Sequence, residues 1–423
     1  MNCLMEQNRF RKTIETIYGE GAADAQMKRY GQVLSRFAEE FGAREPRIFR
    51  APGRTEIGGN HTDHQHGQVL AAAIDLDAVA AAAPTGDGKI CVFSEGFGKI
   101  ELDLGQPYTD ELKRAETGTA AALVRGVAEE LKKQDWRAGG FCAYVTSDVP
   151  EGSGLSSSAA FEVLIGVIIS GLFHGGSIPS ETIAHAAQAA ENNYYGKPCG
   201  LMDQMACAAG GLCRMDFRDP ESPAVEKLVV DFRELGYNIC ITNTRGSHAE
   251  HTDDYAAVRT ELASAASVFG KDVLEGVTSE DVIGRAAAIR KAGGDRAFLR
   301  AMHVAAENDR VRRETEALKR RDMAAFLDLV RQSGDSSYKL LQNVHTSGDP
   351  RKQELAVALA VSEAVLGTGD SACRIHGGGF AGTIQAFVPL QKTDQYITAM
   401  NELFGEGSCR TVRICPEGGM QLE

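Results

Sequence analysis

The stretch VPEGSGLSSSAAFEVLIG, Val149 to Gly166, sets a flexible turn directly against an apolar helix. Pro150, Gly152 and Gly154 make the turn, three serines follow, and a helix starts near Ser156. Glycines let backbone N–H groups point inward at close range, and a helix start adds the positive end of a dipole. That combination suits a phosphate. The hydroxyls of Ser156, Ser157 and Ser158 can donate to phosphate oxygens or ligate magnesium, which prefers hard oxygen ligands. The loop is not a Walker A motif, since it has no G-K-[ST] and no lysine. The plainer reading is a Gly/Ser loop with a serine cap on a buried helix.

Two other stretches carry chemistry-bearing residues. GRTEIGGNHTDHQHG, Gly53 to Gly67, packs His61, His64, His66 and Asp63 into six residues. It reads as a sugar pocket, a metal site or a solvated loop. Zinc chelation by the three histidines and Asp63 is disfavoured, because ligands this close in sequence do not easily wrap one ion. A solvated loop is the expectation for His64 and His66. CRIHGGGFAGTIQAF, Cys373 to Phe387, surrounds Phe380 with Gly377 to Gly379 and Gly382. It permits close backbone approach to a ligand or to another loop, and its default reading is a tight turn before a strand.

Around these stretches the chain looks like an ordinary globular protein. Its 423 residues suffice for two domains, and 43% are hydrophobic. A formal charge of −13 argues against nucleic acid or an anionic membrane as partner. The longest apolar run, Val163 to Phe173, is too short to span a bilayer and reads as a buried helix. The first residues, MNCLMEQNRF, show no signal-peptide core, and the ten cysteines are scattered without a C-x-x-C, so a cytoplasmic location is expected.

Met27, Tyr30, Val33, Leu34, Phe37 and Phe41 recur at helical spacing. RIFRAPG reads as a strand running into a turn. Strands are expected over 69–83, 90–94 and 140–147, with a helix near 118–134, and a helix starts near Glu181. Strands near 226–232 and 237–242 lead into a helix-rich half over 252–366, closed by strands at 382–388 and 411–415. Helices and strands mix without regular βαβ alternation, which favours α+β. A domain boundary falls near 215–235.

The three stretches together resemble the motifs of the GHMP kinase superfamily, which contains galactokinase, homoserine kinase, mevalonate kinase and phosphomevalonate kinase. Pro150 to Ala160 is similar to its nucleotide loop and Gly377 to Gly382 to its C-terminal glycine motif. APGRTEIGGNHTDHQHG resembles the galactokinase signature, and PCGLMDQMA, Pro198 to Ala206, resembles the segment with that family's catalytic aspartate. The resemblance implies a two-domain GHMP-kinase-like α+β fold. Residues 1–225 would form a ribosomal protein S5 domain 2-like N-terminal domain, 226–423 an α+β C-terminal domain, and the active site the cleft between them.

It further implies phosphorylation of the anomeric hydroxyl of galactose by ATP with Mg2+. Galacturonate, N-acetylgalactosamine or arabinose would be the alternative sugars, and a non-catalytic galactose and ATP sensor the alternative function. Asp203 and Arg54 would be catalytic. Asn60, His61, Asp63, Gly200 and Tyr255 would bind sugar. Gly152, Ser153, Gly154, Leu155, Ser156, Ser157 and Ser158 would bind ATP, and Ser158 with Glu191 would hold the metal. Asn243, His248 and Tyr255 match the spacing of a family segment whose tyrosine touches the sugar. The chain departs from the signature at Glu56, Asn60 and His64. An amide at position 60, where the family has a glutamate facing the C6 hydroxyl, would admit a C6 carboxylate. The implied partners are only the sugar and ATP, and a monomer is expected.

Overall fold

The computed structural model describes residues 2–150, 152–246, 252–346, 349–367 and 369–422. Two helices open the chain, α1 (Asn2–Tyr18) and α2 (Ala23–Phe41), and α2 buries Tyr30, Val33 and Phe37 along one face. Then come strands β1 (Arg47–Gly58), β2 (Gln68–Pro84), β3 (Lys89–Ser94) and β4 (Gly98–Asp103), helices α3 (Asp110–Glu116) and α4 (Ala120–Lys133), and strand β5 (Phe141–Ser147). Helices α5 (Ser157–His174), α6 (Ser180–Ala189) and α7 (Met202–Ala209) follow, with a π-helical turn over Ala190–Tyr195 after α6. Strands β6 (Leu212–Asp216) and β7 (Ala224–Leu228) complete this half.

The long strand β2 explains the layering. Its alternate residues Val79, Ala81 and Ala83 face the core made with α1 and α2. Ala78, Ala80 and Ala82 face the larger core made with α4 to α7. Burial on both faces is why this antiparallel strand reads as an almost unbroken apolar run instead of an alternating one. Helix α5 is long and apolar enough to cross a membrane, but most of it is buried in that larger core.

The remaining elements are β8 (Tyr237–Asn243), α8 (Thr252–Ser267), α9 (Ser279–Gly284), α10 (Ala286–Lys319), α11 (Met323–Ser336), α12 (Glu354–Leu366), β9 (Ala372–His376), β10 (Thr383–Pro389), α13 (Thr393–Phe404), β11 (Cys409–Val412) and β12 (Met420–Leu422). β8 to β11 form a second, antiparallel sheet in the order β11-β8-β10-β9. β12 returns to the first sheet and pairs with β1, Ile48 opposite Leu422. The mixture is α+β.

Three expectations need correcting. RIFRAPG does not end in a turn: β1 runs through Pro52 and Gly53 to Gly58, and absorbs them with register shifts between Pro52 and Arg54 and between Glu56 and Gly58. Such irregularities re-aim a side chain, and here they carry Arg54. The strand expected at 226–232 stops at Leu228, and the one expected at 411–415 lies at 409–412. Val229 is fully exposed and so gains nothing from extending β7.

Candidate active site

Asp203 sits in the first turn of α7, and Arg54 reaches it from β1 across 149 residues of sequence. Arg54 Nε donates to Asp203 Oδ1 at 2.8 Å and Nη2 to Oδ2 at 2.5 Å, a two-pronged pair. Arg54 Nη1 donates to the Gly154 carbonyl, and its backbone N–H donates to the Leu155 carbonyl at 3.1 Å. Ser156 Oγ donates to Asp203 Oδ2 at 2.7 Å. The glycine-serine loop, β1 and α7 therefore meet on one carboxylate. Burial alone would raise the pKa of Asp203, but the Arg54 charge and hydrogen bonds, with Ser156, hold it below the ordinary carboxylate value.

The same serine decides what the helix start can do. Ser156 precedes α5 in a left-handed conformation, φ 60°, and makes no side-chain cap. Its hydroxyl goes to Asp203 instead, so no capping side chain covers the first N–H groups of an 18-residue helix. Those donors and the dipole form an anion cradle. Gly152 and Gly154 take φ 62° and 70°, the region that favours glycine. A Cβ on Gly154 would lie 2.6 Å from Thr383 Oγ1. Ser153 Oγ is turned back to the Pro150 carbonyl.

At the second residue of α5, Ser158 Oγ lies 3.4 Å from Glu191 Oε1 on the π-helical turn. Glu191 is 4% exposed, and its other oxygen accepts from Gln204 Nε2 at 2.9 Å. Gln204 also donates to Glu162 at 3.0 Å, and Lys197 Nζ to Glu191 Oε1 at 3.0 Å. A hydroxyl and one carboxylate beside the uncapped start of α5 fit Mg2+, which is usually held by one or two protein oxygens plus substrate phosphates. Among the described residues no group of three or more His, Cys, Asp or Glu side chains forms a closed metal cage. The zinc reading of the histidine stretch therefore finds no support in the geometry.

Asp63 also lies near Asp203. Its carboxylate packs against Gly200, where a Cβ would come within 1.8 Å of Oδ2. Burial raises the Asp63 pKa, and the nearby Asp203 charge adds to that. Asp63, Gly200, Asp203 and Arg54 thus line one polar corner.

The side-chain polar atoms of Asn60 and His61 already hydrogen-bond to protein groups. Asn60 is fully buried, and its amide donates to Glu56 Oε1 at 3.1 Å and to the Gly377 carbonyl at 2.6 Å. Its oxygen accepts from Asn343 at 2.8 Å and from Ser337 at 3.4 Å. No hydrogen-bonding capacity remains for a hydroxyl or a carboxylate. His61 Nε2 faces the Gly378 carbonyl at 2.9 Å and so carries the proton, and its Nδ1 accepts from His64 Nε2 at 3.1 Å. His64 Nδ1 in turn accepts from Gln65 Nε2 at 3.1 Å. Burial lowers the His61 pKa to about 4, so this chain is neutral. His64 is half-buried and bonded, not a solvated loop residue.

The C-terminal glycine stretch makes its close approach to protein. The carbonyl of Gly377 accepts from Asn60, that of Gly378 from His61 and Asn343, and that of Gly379 from the Tyr255 hydroxyl at 2.7 Å. A Cβ on Gly378 would meet the Tyr255 ring at 2.5 Å. Tyr255 thus braces this loop. His248 lies outside the described residues.

Sequence reasoning missed Gln204, Glu162 and Lys197. Glu162 left a signal: it is a lone carboxylate in an apolar helix, fully buried, with Oε1 unbonded. Burial and the neighbouring Glu191 charge hold its pKa well above the ordinary value.

Residues 35–84 match the galactokinase galactose-binding signature and residues 122–211 match the GHMP kinases N terminal domain. A galactokinase of Actinobacillus pleuropneumoniae is 32% identical over 396 residues, 92% of this chain and 98% of the relative. The Homo sapiens galactokinase is 30% identical over 87% of this chain and 90% of its own length. The structure of Lactococcus lactis galactokinase complexed with galactose superposes with a TM-score of 0.81 at 26% identity, covering 93% of this chain and all of that one. A mevalonate kinase shares the fold, with a TM-score of 0.59 at 16% identity over 88% of this chain and 99% of its own.

Proposed function

Because this chain belongs to the galactokinase family, we propose that it transfers the terminal phosphoryl group of ATP to the anomeric hydroxyl of galactose, giving galactose 1-phosphate and ADP. The observation that carries this reading is the convergence of Arg54 and Ser156 on Asp203, with the uncapped start of α5 alongside.

Phosphoryl transfer is mostly positioning and charge stabilisation. Asp203, kept ionised by Arg54, accepts the hydrogen bond of the attacking hydroxyl and aims its lone pair at phosphorus. As the P–O bond forms and ADP leaves, the hydroxyl proton passes to Asp203 and from there to solvent. Arg54 offsets charge on the phosphoryl group while it fixes Asp203. Asp63 accepts from two neighbouring ring hydroxyls, and Gly200 keeps the room it needs. Residues 152–158 cradle the phosphates. Ser158 and Glu191 would hold Mg2+, which supplies charge neutralisation across the phosphate oxygens.

The buried, saturated amide of Asn60 removes the reason to expect a C6-carboxylate sugar. An intact loop with both Arg54 and Asp203 favours a turning-over enzyme over a sensor. The boundary expected at 225/226 cuts β7, which pairs with β6 in the first sheet, so we place the division of the two lobes after Leu228, with β12 returning to the first. The nine described cysteines, all free, accord with a cytoplasmic protein, and we take the chain to act as a monomer. The test is ATP turnover on galactose, galacturonate, N-acetylgalactosamine and arabinose, with the product identified by phosphorus NMR. Galactose 1-phosphate is expected. Activity on another sugar with galactose inert would overturn the substrate, and no turnover on any would favour the sensor.

A further inference from the structure

Glu191 Oε1 lies between a hydroxyl and an ammonium. Ser158 Oγ lies 3.4 Å away, and Lys197 Nζ lies 3.0 Å away. The first belongs to the magnesium site assigned above, and the second is a cation already on the same oxygen. We propose that Lys197 is a movable counter-cation, pairing with Glu191 until a divalent ion takes that oxygen and then with the nucleotide phosphates. The proposal rests on the metal reading of Ser158 and Glu191.

The surroundings separate what moves from what does not. The Glu191 side chain is 5% exposed, whereas that of Lys197 is 65% exposed, so the ammonium approaches from the solvent side on a long stem. The root of the stem is fixed. The backbone N–H groups of Gly196 and Lys197 both donate to the Glu191 carbonyl at 3.0 Å. Just beyond, Asn192 Oδ1 accepts from the Cys199 N–H at 2.6 Å, and Asn192 Nδ2 donates to the Cys199 carbonyl at 3.3 Å. The far oxygen of Glu191 is held by neutral Gln204, itself anchored on buried Glu162. The Lys197–Oε1 contact can exchange without disturbing these bonds.

Electrostatics require that exchange. An ammonium and a divalent ion repel strongly at the few ångströms set by one shared oxygen. The displaced lysine then stands beside the most negative group that enters the site, and lysine serves phosphates as a flexible point charge.

The test uses Mn2+ as probe, its binding followed by electron paramagnetic resonance, and a non-hydrolysable ATP analogue titrated by calorimetry at saturating Mn2+. Wild type, Lys197→Met, Lys197→Arg and Glu191→Gln are compared. Without nucleotide, Lys197→Met binds Mn2+ about two- to fivefold tighter, the size expected for losing an exposed ion pair. With Mn2+ present it binds the analogue about tenfold more weakly, the size of one charge-assisted hydrogen bond. Lys197→Arg stays near wild type in both. Absence of either effect in Lys197→Met, while Glu191→Gln loses Mn2+, overturns the counter-cation and leaves the metal reading standing. Unchanged Mn2+ affinity in Glu191→Gln overturns the metal reading, and the counter-cation with it.

Discussion

Gly200→Ala should uncouple sugar recognition from everything else the site does. The added Cβ would lie 1.8 Å from Asp63 Oδ2 and 2.6 Å from its Cγ, where real contacts keep at least 3.0 Å. The backbone at 200 is not left-handed, so alanine itself is tolerated there. The Asp63 carboxylate has to retreat by roughly 1 Å or more, and a charge-assisted hydrogen bond does not survive a displacement of that size. Each such bond is worth about 1.5–3 kcal/mol. Losing one predicts a rise of about 10- to 100-fold in KM for galactose. KM for ATP and the melting temperature should stay close to wild type, since the phosphate cradle lies on α5 and the clash is with one short side chain. ADP release, measured against each substrate in turn, separates these quantities. A galactose KM within twofold of wild type would refute the placement of Asp63 at the sugar.

Other predictions follow from the same geometry. Arg54→Lys loses the two-pronged grip on Asp203 and should cut kcat/KM about 100-fold or more, read by the same assay, with a lowered melting temperature because a partly buried pair is broken. Ser156→Ala removes one of the bonds that depress the Asp203 pKa. Activity should fall as pH drops through that pKa, and the acid limb of the pH–rate profile should move upward in this variant. Glu314 is fully buried with neither oxygen bonded, and burial with the Glu307 charge raises its pKa. The folded state then binds more protons than the unfolded chain, so stability declines as pH rises above about 4.5 toward the raised value. Glu314→Gln should flatten that decline, as melting temperatures at pH 5 and pH 8 would show.

The sequence announces the parts of the site that are local and hides those that are not. Strand β2, helix α5 and the glycine-serine loop could be read because periodicity and turn chemistry are written in consecutive residues. β1 could not be followed past Pro52, because the register shifts that let it continue depend on β2. Asp203 and Arg54 were legible through motif resemblance, but not their contact, which the folding back of α7 creates. The protein contacts of Asn60 and His61 were hidden for a related reason. Their partners, Asn343, Gly377 and Gly378, lie near 280 to 320 residues away, and nothing in GGNHTDH shows that its polar atoms are already taken. Lys197 sits between a glycine and a proline in an unremarkable loop, and only the π-helical turn brings Glu191 to it.

The central claim is that Asp203, held ionised by Arg54 and Ser156, orients the attacking hydroxyl. Asp203→Asn keeps the shape and removes the charge, so galactose and ATP-analogue affinities by calorimetry should stay within a few-fold of wild type. Single-turnover formation of galactose 1-phosphate should fall by about 100-fold or more, the range for losing a positioned proton acceptor. A near-normal single-turnover rate in that variant would contradict the account.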